Sequence, residues 1–248
     1  MNKSPSLHVL FIFGYMWAIE MAKNMKKTKN VNGKVRASRR PSNGKMYDIP
    51  HYPQSEEFTS SAACAMMVLK FTNKNFKPKK DEEFSIWQDA IAGSVWYGSR
   101  HGLAYALAKR GAKPQIISNA KDEGYEKKLA VFEGINVDTL KASFDEVKKK
   151  TKDLNILESF GTASINSIKK HLNAGKIPII IVNANMLNPY LEAAPHWVVV
   201  KGYDKDLFYV NDPYSDSTIT MEPEQFKQML GYEEEYNMII VPARRSSK

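Results

Sequence analysis

The chain has 248 residues, of which 43% are hydrophobic and 25% are charged, as in an ordinary soluble globular protein. Its formal net charge of +9 is concentrated at the N-terminal end: residues 1–50 carry ten basic and two acidic residues, whereas residues 51–248 carry 26 basic and 25 acidic residues. A nucleic-acid-binding domain would carry its positive charge on the fold itself, so no nucleic-acid partner is expected. The single cysteine, Cys64, excludes an intrachain disulfide and a zinc site built from thiolates.

The N-terminal segment is first hydrophobic and then basic. Residues 9–19 (VLFIFGYMWAI) form an apolar run of eleven residues, which is short for a bilayer span. Positive charge lies mainly after the run, which favours an anchor with a cytoplasmic body over export. An over-extended start, with the chain beginning at Met16, Met21 or Met25, explains the run equally well. We therefore expect residues 1–22 to be a leader of one of these two kinds, with membrane association through residues 9–19 in the first case.

The rest of the chain divides into a linker, one folded body and a tail. Residues 23–45 are basic, contain Gly, Ser and Asn, and lack hydrophobic periodicity, so they are predicted to be a flexible linker. The folded domain is predicted to span residues 46–242, and residues 243–248 form a basic tail.

Helical patterns come before strand patterns in the body. Apolar residues at helical spacing predict helices over Ala62–Phe71, Asp81–Val95, Gly102–Lys109 and Ser164–Ala174, and residues 120–160 are mostly helical in pattern. A strand is predicted over Pro114–Ser118. Later strands are predicted over Ile177–Asn183, His196–Tyr203, Leu207–Val210, Thr218–Met221 and Asn237–Val241. Helices followed by an antiparallel sheet indicate the α+β class.

Two segments carry residues suited to acyl transfer, YPQSEEFTSSAACAMMVL from Tyr52 and PHWVVVKGYDKDLFYVNDP from Pro195. Such a site needs a nucleophile at a helix N-terminus, where the helix dipole favours a developing anion. It also needs a histidine base on another element, a carboxylate or amide behind that base, and a donor for the oxyanion. Together the two segments can supply all four groups.

These segments resemble the bacteriocin-leader (double-glycine) peptidases and their relatives, which are papain-like cysteine peptidases. Gln54 matches the family's glutamine, Ser60 falls at the nucleophilic cysteine, His196 begins a hydrophobic strand that ends in Gly-Tyr-Asp, and Asp212 precedes a proline. The resemblance covers roughly residues 46–242. It implies a papain-like α+β fold, with a helical half that bears Gln54 and Ser60 and an antiparallel sheet half that bears His196 and Asp212.

The departures from the family pattern cluster at the nucleophile, where Ser60-Ser61-Ala62 stands in place of Cys-Gly-Pro. Cys64 is a weaker candidate nucleophile, because it lies one helical turn beyond the positive end of the dipole and resembles a small buried hydrophobic residue. Ser60 can act as a nucleophile only if His196 removes its proton during attack. The alternative is that Ser60 is only an N-cap residue in a fold that has lost catalysis.

We therefore expect a peptidase-like hydrolase or acyltransferase that acts on an amide, peptide or thioester bond through an acyl-enzyme on Ser60. The alternative is an inactive papain-fold protein that binds a peptide in the same cleft. A peptide or peptide-like substrate is the expected partner. No cofactor or metal is expected, because no Walker or dinucleotide glycine pattern occurs and the spacing of Asp204, Asp206, Asp212 and Asp216 fits turns rather than a calcium loop.

Other histidines and aromatic residues are expected to have structural roles. His101 is predicted to be structural or to contact the substrate cleft. His51 and His171 are predicted to lie on the surface, and Trp197 to pack beside His196.

Overall fold

We analysed a computed structural model of the chain, which describes residues 44–93, 95–121, 134 and 136–243. Its helices are α1 (Ser60–Thr72), α2 (Lys80–Ala90), α3 (Arg100–Lys109), α4 (Val137–Asp153), α5 (Ile165–Asn173), α6 (Ala184–Leu187) and α7 (Pro223–Met229). Its strands are β1 (Lys45–Met46), β2 (Gln115–Ser118), β3 (Leu157–Phe160), β4 (Lys176–Asn183), β5 (Pro195–Tyr203), β6 (Phe208–Asn211), β7 (Thr218–Met221) and β8 (Met238–Pro242). The predicted leader, most of the linker and most of the tail lie outside the described residues.

The described strands form one sheet in the order β3-β2-β8-β4-β5-β6-β7, and β1 pairs with β5. All pairs are antiparallel except β2 with β3. The α+β class is therefore confirmed, and the predicted antiparallel sheet also contains one parallel pair. β2 and β3 are joined by a crossover that contains α4, which is the kind of long connection that a parallel pair of strands requires.

The sheet separates two hydrophobic clusters, as strand alternation requires. Ile179 and Ile181 of β4 pack into the cluster that contains the buried residues of α1, α2 and α3. Ile180 and Val182 pack into the opposite cluster, which contains Phe226 of α7 and the buried residues of α5. A strand buried on both faces reads as a continuous apolar run, which is why IIIV in β4 is detectable in the sequence.

Two helical predictions need correction. The second predicted helix runs to Val95, but α2 ends at Ala90, and Gly93 adopts a positive φ of 59° just beyond it. Ile91 and Val95 belong instead to a loop, in which Ala92 and Val95 are buried in the core. Within the region expected to be mostly helical, residues 157–160 form the edge strand β3, which is exposed along its whole length. An exposed strand lacks the alternating pattern that makes strands recognisable.

The N-terminus of α3 is held by a buried ionic cluster. Arg100 has no exposed surface and contacts the carboxylates of Glu235 at 3.4 Å and Glu158 at 3.6 Å. His101 donates to Glu158 at 3.2 Å and is also buried, so it is structural in this fold. Burial acts to raise the pKa of Glu158, but the hydrogen bond from His101 and the charges of His101 and Arg100 outweigh it and lower that pKa. The cluster joins α3, β3 and the turn before β8.

No helix within the described residues is long and apolar enough to cross a membrane. The apolar run at residues 9–19 lies outside the described residues, so membrane association through it stays a prediction.

The described body begins with β1, one residue earlier than the predicted domain boundary at residue 46. Deleting residues 1–43 should change the melting temperature by less than about 3 °C, because all the described core residues lie beyond that point. Deleting residues 1–46 should lower it further, since this removes the pairs of Lys45 with Tyr203 and of Met46 with Gly202. Thermal unfolding followed by circular dichroism measures both shifts. A larger loss on the first deletion would mean that the leader packs on the body.

Candidate active site

Ser60 is the first residue of α1, at an end of the helix that no side chain caps. Thr59 occupies the N-cap position but makes no capping hydrogen bond to the helix. Its hydroxyl instead donates to Glu83 Oε1 at 2.6 Å. The N–H groups of the first turn therefore keep the positive partial charge of a helix N-terminus, which favours a nearby anion.

Ser60 lies against the beginning of β5. Its Oγ accepts a long hydrogen bond from the backbone N–H of Trp197 at 3.4 Å. Since Trp197 directly follows His196, this contact brings the helix N-terminus to the predicted base. Ser60 is 5% exposed and His196 is 6% exposed, so the two residues share a largely buried environment.

His196 forms a close pair with Asp212. The distance from His196 Nε2 to Asp212 Oδ1 is 2.7 Å, and the carboxylate can only accept, so Nε2 carries the proton. The remaining ring nitrogen, Nδ1, is then the one available to accept a proton from a nucleophile. Asp212 follows the last residue of β6 and is 5% exposed. The pair therefore has the arrangement of a base with its orienting carboxylate.

Asp212 is fixed by a turn and by a second histidine. Its Oδ1 also accepts from the backbone N–H of Tyr214 at 2.9 Å. His51 Nε2 donates to the backbone carbonyl of Asp212 at 2.9 Å. The prediction that His51 is a surface residue is therefore wrong, since it is half-buried beside the pair. The contact depends on residues 49 and 50, whose carbonyls are held by Asn211, so no local sequence signal reveals it.

Gln54 lies beside the same turn, but its amide faces its own loop. The backbone N–H of Gln54 donates to Pro213 O at 2.8 Å, next to Asp212. Its side-chain Nε2 donates to the carbonyls of Glu56 and Glu57, at 3.0 Å each. The four predicted site residues are thus brought to one region, but the Gln54 amide protons are directed toward carbonyl oxygens of the protein.

Glu83 is a site-supporting residue that the sequence analysis missed. It is 2% exposed, and its carboxylate accepts from the backbone and hydroxyl of Ser55 and from the hydroxyl of Thr59. It therefore ties α2 to both ends of the loop that precedes Ser60. In the sequence KDEEFSIW it resembles a solvated residue of a charged helix face, so only the tertiary contact distinguishes it.

Cys64 lies one turn into α1, fully buried, with its Sγ 3.1 Å from Trp197 O. Burial raises the pKa of its thiol well above the ordinary value, and the negative charge of Asp212 adds to this. A thiol whose thiolate is disfavoured is a poor nucleophile. These properties support the expectation that Cys64 is a core residue.

Four polar atoms around α1 and the beginning of β5 are buried without a hydrogen-bond partner: Gln54 Oε1, Ser61 Oγ, Asn183 Oδ1 and Asn185 Oδ1. Asn183 ends β4 and pairs with Pro195, the neighbour of His196, and Asn185 lies two residues further along the chain. Buried acceptors without donors are rare in folded proteins. Three of the four atoms are carboxamide oxygens, which only an N–H or O–H group can satisfy.

Other candidates lie elsewhere or have local roles. His171 is half-buried on α5 instead of exposed, and burial with the charges of Lys176 and Lys170 lowers its pKa. Asp204 Oδ1 accepts from the backbone N–H groups of two following residues, as a turn residue should. A cavity of about 400 Å³ lies at the other end of α1, lined by Leu69, Thr72 and Val241 among others, and none of the four predicted site residues lines it.

The environment of Cys64 leads to a prediction about its reactivity. At pH ~8.5, where an ordinary thiol is half ionised, Cys64 should stay protonated in the folded chain. Alkylation by iodoacetamide should therefore be at least ~10-fold slower in the native protein than in guanidinium. The raised pKa of Cys64 also makes the free energy of unfolding depend on pH. Its contribution to stability is fully present below pH ~8.5 and is lost as the pH rises toward the pKa of Cys64 in the folded chain. Rapid native alkylation at the same pH would contradict this assignment.

The contacts of Glu83 predict a cost for its removal. Glu83→Ala leaves the Ser55 N–H and the Thr59 hydroxyl without their acceptor, which should cost about 1–3 kcal/mol of unfolding free energy. Glu146→Ala is the matched control, because Glu146 is exposed on α4 and pairs with Lys150 at the surface, so its loss should cost less than about 0.5 kcal/mol. Urea unfolding measures both changes. Equal costs would show that Glu83 does not hold the Ser60 loop.

One solved structure that resembles this chain is that of a candidate C39-like peptidase from Bacillus anthracis, with 15% sequence identity, a TM-score of 0.48, and coverage of 82% of this chain and 100% of that chain. A profile of the Peptidase_C39 like family matches residues 49–240, which include all four predicted site residues. The chain therefore belongs to the Peptidase_C39 like family.

Proposed function

We propose that this protein hydrolyses or transfers an acyl group at an amide, peptide or thioester bond, with Ser60 as nucleophile, His196 as general base and Asp212 as the residue that orients the base. The observation that carries the proposal is the buried 2.7 Å contact between His196 and Asp212 beside the N-terminus of α1. Burying two ionisable groups costs free energy that apolar side chains of similar size would not cost. A proton-transfer role accounts for this arrangement.

The proposed reaction has two steps, acylation of Ser60 and deacylation. In acylation, Ser60 Oγ transfers its proton to His196 Nδ1 and forms a bond to the substrate carbonyl carbon, whose π electrons move onto oxygen. The oxyanion then re-forms the carbonyl, the bond to the leaving nitrogen or sulfur breaks, and His196 protonates that atom. In deacylation, water gives a proton to His196 and attacks the ester carbon, the bond from that carbon to Ser60 Oγ breaks, and His196 returns the proton to Ser60 Oγ as the acid is released. An amine in place of water gives acyl transfer.

The backbone amides of the first turn of α1 are the candidate oxyanion donors. They lack a side-chain cap, and the helix dipole adds to their field. The Gln54 amide could contribute only after it leaves the carbonyls of Glu56 and Glu57. Ordering of Gln54 by the substrate is therefore part of the proposal.

The orphan acceptors favour a peptide as the ligand. The carboxamide oxygens of Gln54, Asn183 and Asn185 need N–H donors, whereas the first turn of α1 offers N–H groups to a carbonyl. A peptide main chain supplies both kinds of group in alternation. A bound peptide would therefore satisfy these groups once the surrounding loops move to expose the oxygens, which are buried in the free chain.

Serine in place of cysteine predicts slow chemistry. A cysteine beside a histidine is largely thiolate before attack, since its pKa starts near ~8.5 and falls readily. The Ser60 hydroxyl is far less acidic, so proton removal becomes part of the barrier. The C–O bond of serine is also shorter than the C–S bond of cysteine, so Ser60 Oγ lies farther from the position that a sulfur atom would take. Small misplacements of a nucleophile can reduce rates by roughly 100-fold.

A second candidate function, peptide binding without catalysis, is favoured by two details. Within the described residues, no hydrogen bond joins Ser60 to His196, and Ser60 Oγ is directed to the backbone of Trp197. The Gln54 amide is also engaged by its own loop. Binding to the same orphan groups would then be the whole function.

A fluorophosphonate probe distinguishes the two functions. We expect the parent protein to be labelled on Ser60, and labelling to fall at least ~10-fold in Ser60→Ala and in His196→Ala, because base catalysis supplies roughly 100-fold or more. Ser159→Ala, on the exposed strand β3, is the matched control and should label like the parent. Labelling that is equal in the parent and Ser60→Ala would leave only the binding function.

Ser60→Cys tests the environment independently of serine chemistry. The rate of alkylation against pH should give a thiol pKa below ~8.5 in Ser60→Cys, and a higher one when His196→Ala is added, because imidazolium stabilises thiolate. Cys64 should stay inert in both variants. A pKa near ~8.5 in both would show that no thiolate-stabilising pair exists.

A further inference from the structure

An aromatic cluster lies between α2 and the loops on either side of it. The ring of Phe58 lies 4.9 Å from that of Trp87 and 5.0 Å from that of Trp96, measured between centroids. Trp87 Nε1 donates to Trp96 O at 2.8 Å, which fixes the loop that follows α2. Phe58 and Trp87 are half-buried, whereas 52% of Trp96 is exposed. The cluster is therefore both preorganised and accessible.

The cluster lies beside the nucleophile position, because two of its residues are close in the chain to residues at the start of α1 or in contact with it. Phe58 precedes Ser60 by two residues. Trp96 precedes Gly98 by two residues. Gly98 packs closely against Ser61, the second residue of α1, since a β-carbon added to Gly98 would lie 2.2 Å from Ser61 Oγ. Two residues span at most about 7 Å. The backbone of Phe58 therefore lies within about 7 Å of that of Ser60. The backbone of Trp96 lies within about 7 Å of that of Gly98, which contacts Ser61.

The cluster and the Ser60 loop are fixed by the same helix. Glu83 and Trp87 are four residues apart on α2, so their side chains project from the same face. Glu83 holds Ser55 and Thr59, while Trp87 packs on Phe58 between them. The rings therefore keep a constant position relative to Ser60.

We propose that Phe58, Trp87 and Trp96 form a subsite for an aliphatic or aromatic side chain of a peptide bound at Ser60. The identity of the ligand as a peptide rests on the proposed function. The backbone of Phe58 lies within about 7 Å of that of Ser60, and an extended peptide rises about 3.3 Å per residue, so we expect the recognised side chain a few residues from the bond at Ser60. Glu56 is paired with Lys80, but Glu57, which directly precedes Phe58, is exposed, and its carboxylate disfavours an acidic side chain at this position.

The size of the effect follows from buried apolar surface. Moving a leucine or phenylalanine side chain from water onto the rings should tighten binding at least about tenfold over alanine. Truncation of Trp96 should remove most of this gain, because Trp96 offers the largest exposed ring surface of the three. Rigid aromatic anchors of this kind dominate binding energy in many interfaces.

The test measures binding to the Ser60→Ala protein, so that turnover cannot interfere. Fluorescein-labelled heptapeptides with an alanine host sequence carry a single Phe, Leu or Asp at each position in turn, and fluorescence anisotropy gives their affinities. We expect Phe and Leu at the central positions to bind at least about tenfold more tightly than alanine, and Asp to bind no more tightly. Adding Trp96→Ala should remove most of the gain.

Phe160→Ala is the matched control, because Phe160 is 86% exposed on the edge strand β3, which is separated from β5 by three other strands. It should leave the gain unchanged, and melting curves establish that each variant is folded. Equal affinity of Phe and Ala peptides, no binding by any peptide, or a gain that survives Trp96→Ala would overturn the subsite. Fluorophosphonate labelling of the parent reports the catalytic proposal separately, so the two can fail independently.

Discussion

One residue, Trp197, joins the helical half of the body to the sheet through both its backbone and its side chain. Its N–H donates to Ser60 Oγ, its carbonyl accepts from Cys64, and its indole donates to Gly98 O. These contacts are possible because β6 ends at Asn211, opposite Val199, so the edge of β5 beyond that point has no strand partner. Helix α1 takes the place of the missing strand. The register of β5 therefore fixes the distance between the two halves of the site.

The site residues inherit their positions from this arrangement. His196 pairs with Val182 on one side, and Asp212 follows β6 on the other, so the histidine and its carboxylate meet where two strands end. Ser60 reaches them only because α1 begins at the open edge of β5. The carboxylate of Glu83 fixes the loop that precedes Ser60, because it accepts hydrogen bonds from the backbone and hydroxyl of Ser55 and from the hydroxyl of Thr59. An apolar side chain in its place could not orient these three donors.

In the proposed function, serine at the nucleophile position would change the demands on the rest of the site. A thiolate would need only a helix dipole and an imidazolium, but a hydroxyl needs a base whose free nitrogen faces it. The bond from Nε2 to Asp212 leaves Nδ1 for that role. The engaged amide of Gln54 and the orphan oxygens of Asn183 and Asn185 suggest that the site is completed by its ligand. Catalysis and binding without catalysis use the same groups, and they differ in whether Ser60 can transfer its proton to His196.

Much of this protein is determined by local pattern in the sequence. The apolar run of α1, the amphipathic spacing of α5 and the hydrophobic strands β4 and β5 are detectable because each segment buries a repeating set of side chains. The positions of Gln54, Ser60, His196 and Asp212 follow from motifs at fixed spacing. Family membership is shown by the match of the family profile to residues 49–240.

Only the tertiary structure determined the parallel pairing of β2 with β3, the contact of His51 with Asp212 and the roles of Glu83 and Arg100. Each of these depends on partners far away in the chain. A glutamate on a charged helix or a histidine before a turn has the same local pattern whether it is buried or solvated. Its environment is set by which elements pack against it, and that information is not local in the sequence.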